Sequence, residues 1–107
     1  MEVRIYQDTQ GRAPFDEWLG SLQDKAARAR IRARLARLQA GNLGDCKALR
    51  EGVQELRIDH GPGYRVYLSR QGAVLVLLLC GSDKGDQDRA IQQAIGYLND
   101  WKQRGKP

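Results

Sequence analysis

The run Ala73–Cys80, AVLVLLLC, has no polar side chain at any position. Side chains alternate between the two faces of a strand, so a strand of this composition must be covered on both sides. The run is far shorter than the roughly 20 apolar residues a membrane-spanning helix needs. It therefore predicts a central strand, and the rest of the chain has to supply cover for both of its faces. With 107 residues, the chain suits one domain, residues 1–107, with a single core.

The covering elements can be read from periodicity. Val3 and Ile5 alternate with polar neighbours, as in a short first strand. Pro14 suits the first turn of a helix, and Phe15, Trp18 and Leu19 follow at helical spacing. Gly20 and Ser21 are expected to break that helix, with Ser21 and Asp24 as the capping pair of a second one. Ala27, Ile31, Leu35 and Leu38 form the second helix's apolar stripe, and Gly41 stops it. Asn42 to Gly52 is irregular, with room for a short strand at Lys47–Arg50. Gln54–Asp59 and Tyr64–Ser69 alternate. Leu56, Ile58, Val66 and Leu68 share one face, while Glu55, Arg57, Arg65 and Tyr67 share the other. Asp86 is the expected N-cap of a last helix, whose stripe is Ile91, Ala94, Ile95, Leu98 and Trp101. The class is α+β: a small, mostly antiparallel sheet with an N-terminal helical hairpin and a C-terminal helix packed on it.

Charge narrows the partners. Lys and Arg total 18 against 13 Asp and Glu, for a net charge of +5 and a pI near 9.6. Thirteen of the 18 are Arg, whose planar fork matches phosphate oxygens, although solubility alone can account for such a charge. The start of the chain, MEVRIYQDT, lacks the apolar stretch of a signal peptide, so a cytoplasmic location with no membrane partner is expected. Cys46 and Cys80 are then expected as reduced thiols. No CxxC motif or histidine cluster is present, so neither a metal nor a cofactor is expected.

The segment Glu55–Tyr67, ELRIDHGPGYRVY, reads as a β-hairpin. A turn centred on Gly61 makes opposite residue numbers sum to 122, which places Arg57 against Arg65 and Glu55 against Tyr67. Like charges directly opposite cost up to about 1 kcal/mol, so this face needs Glu55 and Asp59, or a bound anion, to offset them. Lys84 precedes the last helix and can join the two arginines on one phosphate. Histidine exchanges protons near neutrality, and His60 is the sole example, but it lies in a turn with only Asp59 as an evident partner. Tyr67 shares the charged face and offers a ring for base stacking, whereas Tyr64 is expected in the core. On the second helix, Lys25, Arg28, Arg30, Arg32, Arg34 and Arg37 have no acid among them. They suit a solvated face, an RNA-backbone contact or a dock for an acidic partner.

Three blocks, RLARLQAGNLGDCKALREGVQELRID, GPGYRVYLS and LLLCGSDKGDQDRAIQQA, together with Phe15–Leu19, resemble the RelE/ParE superfamily of type II toxin–antitoxin toxins. The likeness is greatest to the HigB-like addiction-module killer proteins. It implies a RelE-like fold and a ribosome-dependent mRNA endonuclease in which the RNA's own 2′-hydroxyl is the nucleophile. It implies a cognate antitoxin, in this branch usually a helix-turn-helix protein encoded alongside, with operator DNA bound only through that complex. Arg57, Arg65 and Lys84 fall on or near the family's cationic catalytic positions. Arg57 and Arg65 would stabilise charge, and Lys84 would protonate the leaving 5′-oxygen. The RNA-binding set is Arg57, Arg65, Tyr67, Lys84 and Arg32. Glu55 stands where some members carry a lysine. The tyrosine some members have on the last helix has no counterpart here, Ile91 and Tyr97 being the nearest positions. Two alternatives accompany the nuclease: a gyrase poison of the ParE type, and a decayed toxin that mainly binds antitoxin and operator.

Overall fold

A computed structural model describes all of residues 1–107. Strand β1 (Glu2–Ile5) is followed by helices α1 (Pro14–Ser21) and α2 (Lys25–Gln39). Strands β2 (Cys46–Ala48), β3 (Gln54–Ile58), β4 (Tyr64–Gln71) and β5 (Leu75–Asp83) come next. A 3₁₀ turn at Lys84–Asp86 leads into α3 (Gln87–Gln103). The strands form one mixed sheet in the order β1-β5-β4-β3-β2, with β1 parallel to β5 and the other pairs antiparallel. The protein is α+β, as its sequence pattern predicts. No helix is long and apolar enough to cross a membrane.

The apolar run lies in β5, inside the sheet. Val76 and Leu78 point to the face covered by α1 and α2, where they meet Phe15, Ile31, Leu38, Leu56 and Val66. Leu77 and Leu79 point to the opposite face, where α3 brings Ala94, Leu98 and Trp101. The sheet thus divides the interior into two apolar layers, where the length of the chain suggests one. A register shift between Tyr67 and Leu68 leaves Leu79 without a partner on β4, a bulge in the central pair.

Several local readings change. Helix α1 continues through Gly20 and Ser21, and Ser21 donates its hydroxyl to the Trp18 carbonyl at 2.6 Å instead of capping α2. The cap is Asp24, whose Oδ1 accepts from the amides of Ala26 and Ala27 at 2.9 and 3.1 Å. Helix α1 rests on β5 and α2 on β1 and β3, so the helices pack chiefly on the sheet and not as a hairpin on each other. Strand β2 starts at Cys46, one residue earlier than its expected position. Asp86 makes no capping bond, because the 3₁₀ turn intervenes; Asp83 Oδ1 accepts from the Gly85 amide at 3.0 Å and caps that turn.

Candidate phosphate-binding site

The β3–β4 pairing places Arg57 opposite Arg65, Glu55 opposite Tyr67 and Leu56 opposite Val66. This is the register expected for a turn centred on Gly61. Gly61 and Gly63 take positive φ values of 57° and 88°, a region glycine enters without a Cβ clash. The Lys84 amide donates to the Gly63 carbonyl at 3.1 Å, which ties the end of β5 to the hairpin. Arg57, Arg65 and Lys84 consequently line one open cleft of about 380 Å³ at this end of the sheet.

Glu55 organises the cleft from below. It is only 5 % exposed. Its Oε1 lies 3.2 Å from Arg57 Nε and 3.4 Å from Arg65 Nε. Arg57 donates its Nε to that carboxylate and Arg65 pairs with it, which leaves the terminal nitrogens of Arg57 and Nη1 of Arg65 for a ligand. Arg65 is the more fixed of the two, with a side chain 15 % exposed against 43 % for Arg57. The Gln87 amide, turned oxygen-inward from the first residue of α3, accepts from Arg65 Nε and Nη2 at 3.1 Å each. Asp45 and Asp59 stand among the cleft's other walls. Three cations thus face three carboxylates, so the cleft's strength lies in geometry more than in net charge.

Two expected participants, Tyr67 and Arg32, lie elsewhere, as does His60. Tyr67 is fully buried beneath α3, and its hydroxyl meets Ser82 Oγ at 3.1 Å. Burial pushes its phenol above the ordinary value, and no ring face is left for a base. Tyr64 lies in the α1/α2 layer, as expected, edge-on to Trp18. His60 does not line the cleft: its Nε2 is 3.1 Å from Asp24 Oδ2, so its partner is the α2 cap and not Asp59. The amide of Ala27, and then His60, hold the Asp24 carboxyl below its usual range. Arg32 is exposed on the flank of α2 turned away from the hairpin, because the residues facing Ile58 and Asp59 are Arg30, Ala33, Arg34 and Arg37. Cys46 and Cys80 are both unpaired, as expected.

Gln87 escapes a sequence reading because its role depends on how α3 docks. Glu55 does not, since period-two alternation already sets it beside Arg57. The arrangement can grip a phosphate, and can stabilise one that gains negative charge as a fifth oxygen approaches.

No model of a known protein family matches the chain. The chain is 58 % identical over 80 residues to an uncharacterized protein of Haemophilus influenzae (strain ATCC 51907 / DSM 11121 / KW20 / Rd), a span of 75 % of this chain and 81 % of that protein. It belongs to the same family as that protein.

Proposed function

We propose that the chain is the toxin of a type II toxin–antitoxin system, a HigB-like member of the RelE/ParE superfamily with a RelE-like fold. It arrests translation by cutting mRNA on the ribosome, as a metal-independent endoribonuclease. The observation that carries this reading is the convergence of Arg57, Arg65 and Lys84 on one open cleft. Arg57 and Arg65 hold the non-bridging oxygens of the scissile phosphate. The 2′-oxygen of the preceding ribose forms the new bond to phosphorus, and the bond to the 5′-oxygen breaks. Lys84 gives its proton to that 5′-oxygen. Asp45 and Asp59 are the exposed carboxylates of the cleft, and we assign the 2′ proton to Asp59, since Glu55 is occupied by two arginines and His60 by Asp24. The products are a 2′,3′-cyclic phosphate and a 5′-hydroxyl. The partners are mRNA on the ribosome and an antitoxin encoded alongside, through which operator DNA is reached.

Brief synthesis in a bacterial translation extract, with mapping of the 5′ ends of a reporter mRNA, tests the proposal. Ribosome-dependent cuts within the reading frame are expected, and the Arg57→Ala and Arg65→Ala variants should lose them. Intact mRNA with trapped gyrase–DNA complexes would sink the nuclease in favour of a gyrase poison. The buried Glu55 favours a further alternative, since it neutralises the arginines where some family members carry a lysine. In that case the chain binds antitoxin and operator without cutting, and the extract shows neither cleavage nor gyrase trapping.

A further inference from the structure

Asp59 and Ile58 form a ridge with a groove on each side. On one side lies the Arg57–Arg65–Lys84 cleft. On the other is a groove of about 250 Å³, walled by Arg30, Ala33, Arg34 and Arg37 of α2. The two share Ile58 and Asp59, so they are neighbours along one surface. Their charge differs sharply. In the second groove three arginines face Asp59 alone, whereas in the first the cations are matched by carboxylates.

The second groove's arginines are also less committed. Helix α2, KAARARIRARLARLQ, has no acidic residue, so Arg30, Arg34 and Arg37 have no acidic neighbour one turn away. Arg34 donates to the backbone carbonyls of Arg57 and Leu43 at 3.0 and 3.3 Å, which fixes the groove's floor without neutralising it. The five ion pairs of the molecule include neither Arg30 nor Arg37, and both are exposed.

We propose that this groove is a second phosphate subsite, which binds the backbone of a single-stranded RNA next to the phosphate held in the cleft. The inference rests on the RNA reading of the cleft. It divides the labour: the cleft positions one phosphate, and the α2 flank supplies most of the electrostatic affinity. The strand crosses the Ile58–Asp59 ridge. Arg30 and Arg37 are the movable, unneutralised contacts, and they release counterions when phosphates replace them.

The test is fluorescence anisotropy of the whole protein with a labelled single-stranded RNA oligonucleotide across a salt series. An Arg30→Ala/Arg37→Ala variant loses two contacts, so its slope of log affinity against log salt should flatten by about 1.4. Between about 50 and 200 mM salt the wild type should then lose roughly sevenfold more affinity than the variant. Lys25→Ala/Arg32→Ala removes the same charge from exposed positions on the other flank and should leave the slope nearly unchanged. Circular dichroism confirms that both variants are folded. An unchanged slope for Arg30→Ala/Arg37→Ala overturns the subsite. So does an equal flattening in Lys25→Ala/Arg32→Ala, which would mean a diffuse field. Failure of the wild type to bind RNA also overturns it, and leaves the flank to an acidic protein segment. Absence of cleavage in the translation extract with the slope difference intact defeats the nuclease reading alone; cleavage with no slope difference defeats the subsite alone.

Discussion

Glu55 is buried in β3 and pairs with both Arg57 and Arg65 through one carboxylate oxygen. Without its charge, two guanidinium groups face each other across paired strands with no counter-ion beneath. The Glu55→Gln variant should lose roughly 1–3 kcal/mol of stability, toward the low end because solvent screens the half-exposed Arg57. Inorganic phosphate should restore more of the lost Tm in this variant than it adds to the wild type, since it replaces the missing negative charge. Thermal scans with and without phosphate measure both effects; equal shifts in the two proteins would show that the cleft is no anion site. Asp59 allows a separate test. If it takes the 2′ proton, Asp59→Asn should slow ribosome-dependent cleavage about 10²–10⁴-fold and leave RNA affinity unreduced. A fall in affinity that accounts for the lost cleavage would show that Asp59 only shapes the ridge.

Among the elements, α1 depends on a single glycine for its seat. The Trp18 ring lies flat on β5 at Gly81, where a Cβ would come within 2.2 Å of the ring. The ring is wedged between Phe15 and Tyr64, so it cannot easily withdraw. Gly81→Ala should cost about 1–3 kcal/mol by overpacking and should alter tryptophan fluorescence; a denaturation midpoint equal to the wild type's would show that Trp18 is free to move. This contact illustrates which parts of the fold the sequence displays. The strands, the α2 stripe and the Arg57–Arg65 pairing follow from periodicity and turn chemistry, which are local. The ring on Gly81, the α3 cover over Tyr67 and the Gln87 hold on Arg65 depend on how distant elements dock. Alternation alone put Tyr67 on the same face as Arg57 and Arg65, and correctly so. What it could not convey is that α3 covers the Tyr67 end of that face and leaves the arginine end open. Likewise a list of α2 cations gives no flank, so it offers no ground for naming Arg32 over Arg30 as the RNA contact; only the seating of the helix shows that Arg30 faces the hairpin.

At the scale of the whole molecule, pH acts through two groups of residues. Asp24 and Asp100 tie helices to distant parts of the chain: Asp24 caps α2 and meets His60, while Asp100 accepts from Tyr6 at 2.6 Å and from Arg104 at 2.9 Å. Both carboxyls are held below the ordinary value of 3.8, Asp24 first by the Ala27 amide and Asp100 first by the Tyr6 hydroxyl. Their stabilisation is present above that value and is lost as the pH falls through their lowered folded-state values. The alkaline side is governed by the α3 layer. Burial pushes the Cys80 thiol from 9.0 up to about 12. Burial, aided by Asp100, pushes the Tyr6 phenol from 10.0 up to about 12. Across those intervals the unfolded chain releases protons that the folded chain retains, so stability falls as pH rises. Guanidinium midpoints should be flat near neutrality, begin to drop above pH 9.0 and steepen from 10.0 to about 12. Tyr6→Phe should cost about 1 kcal/mol at neutral pH through its lost hydrogen bond. It should also make the steeper segment shallower, with the rest of it carried by Tyr67 and Tyr97, which burial likewise raises, while leaving the portion that begins with Cys80. Midpoints for Tyr6→Phe that steepen just as the wild type's do would assign the alkaline loss to other groups.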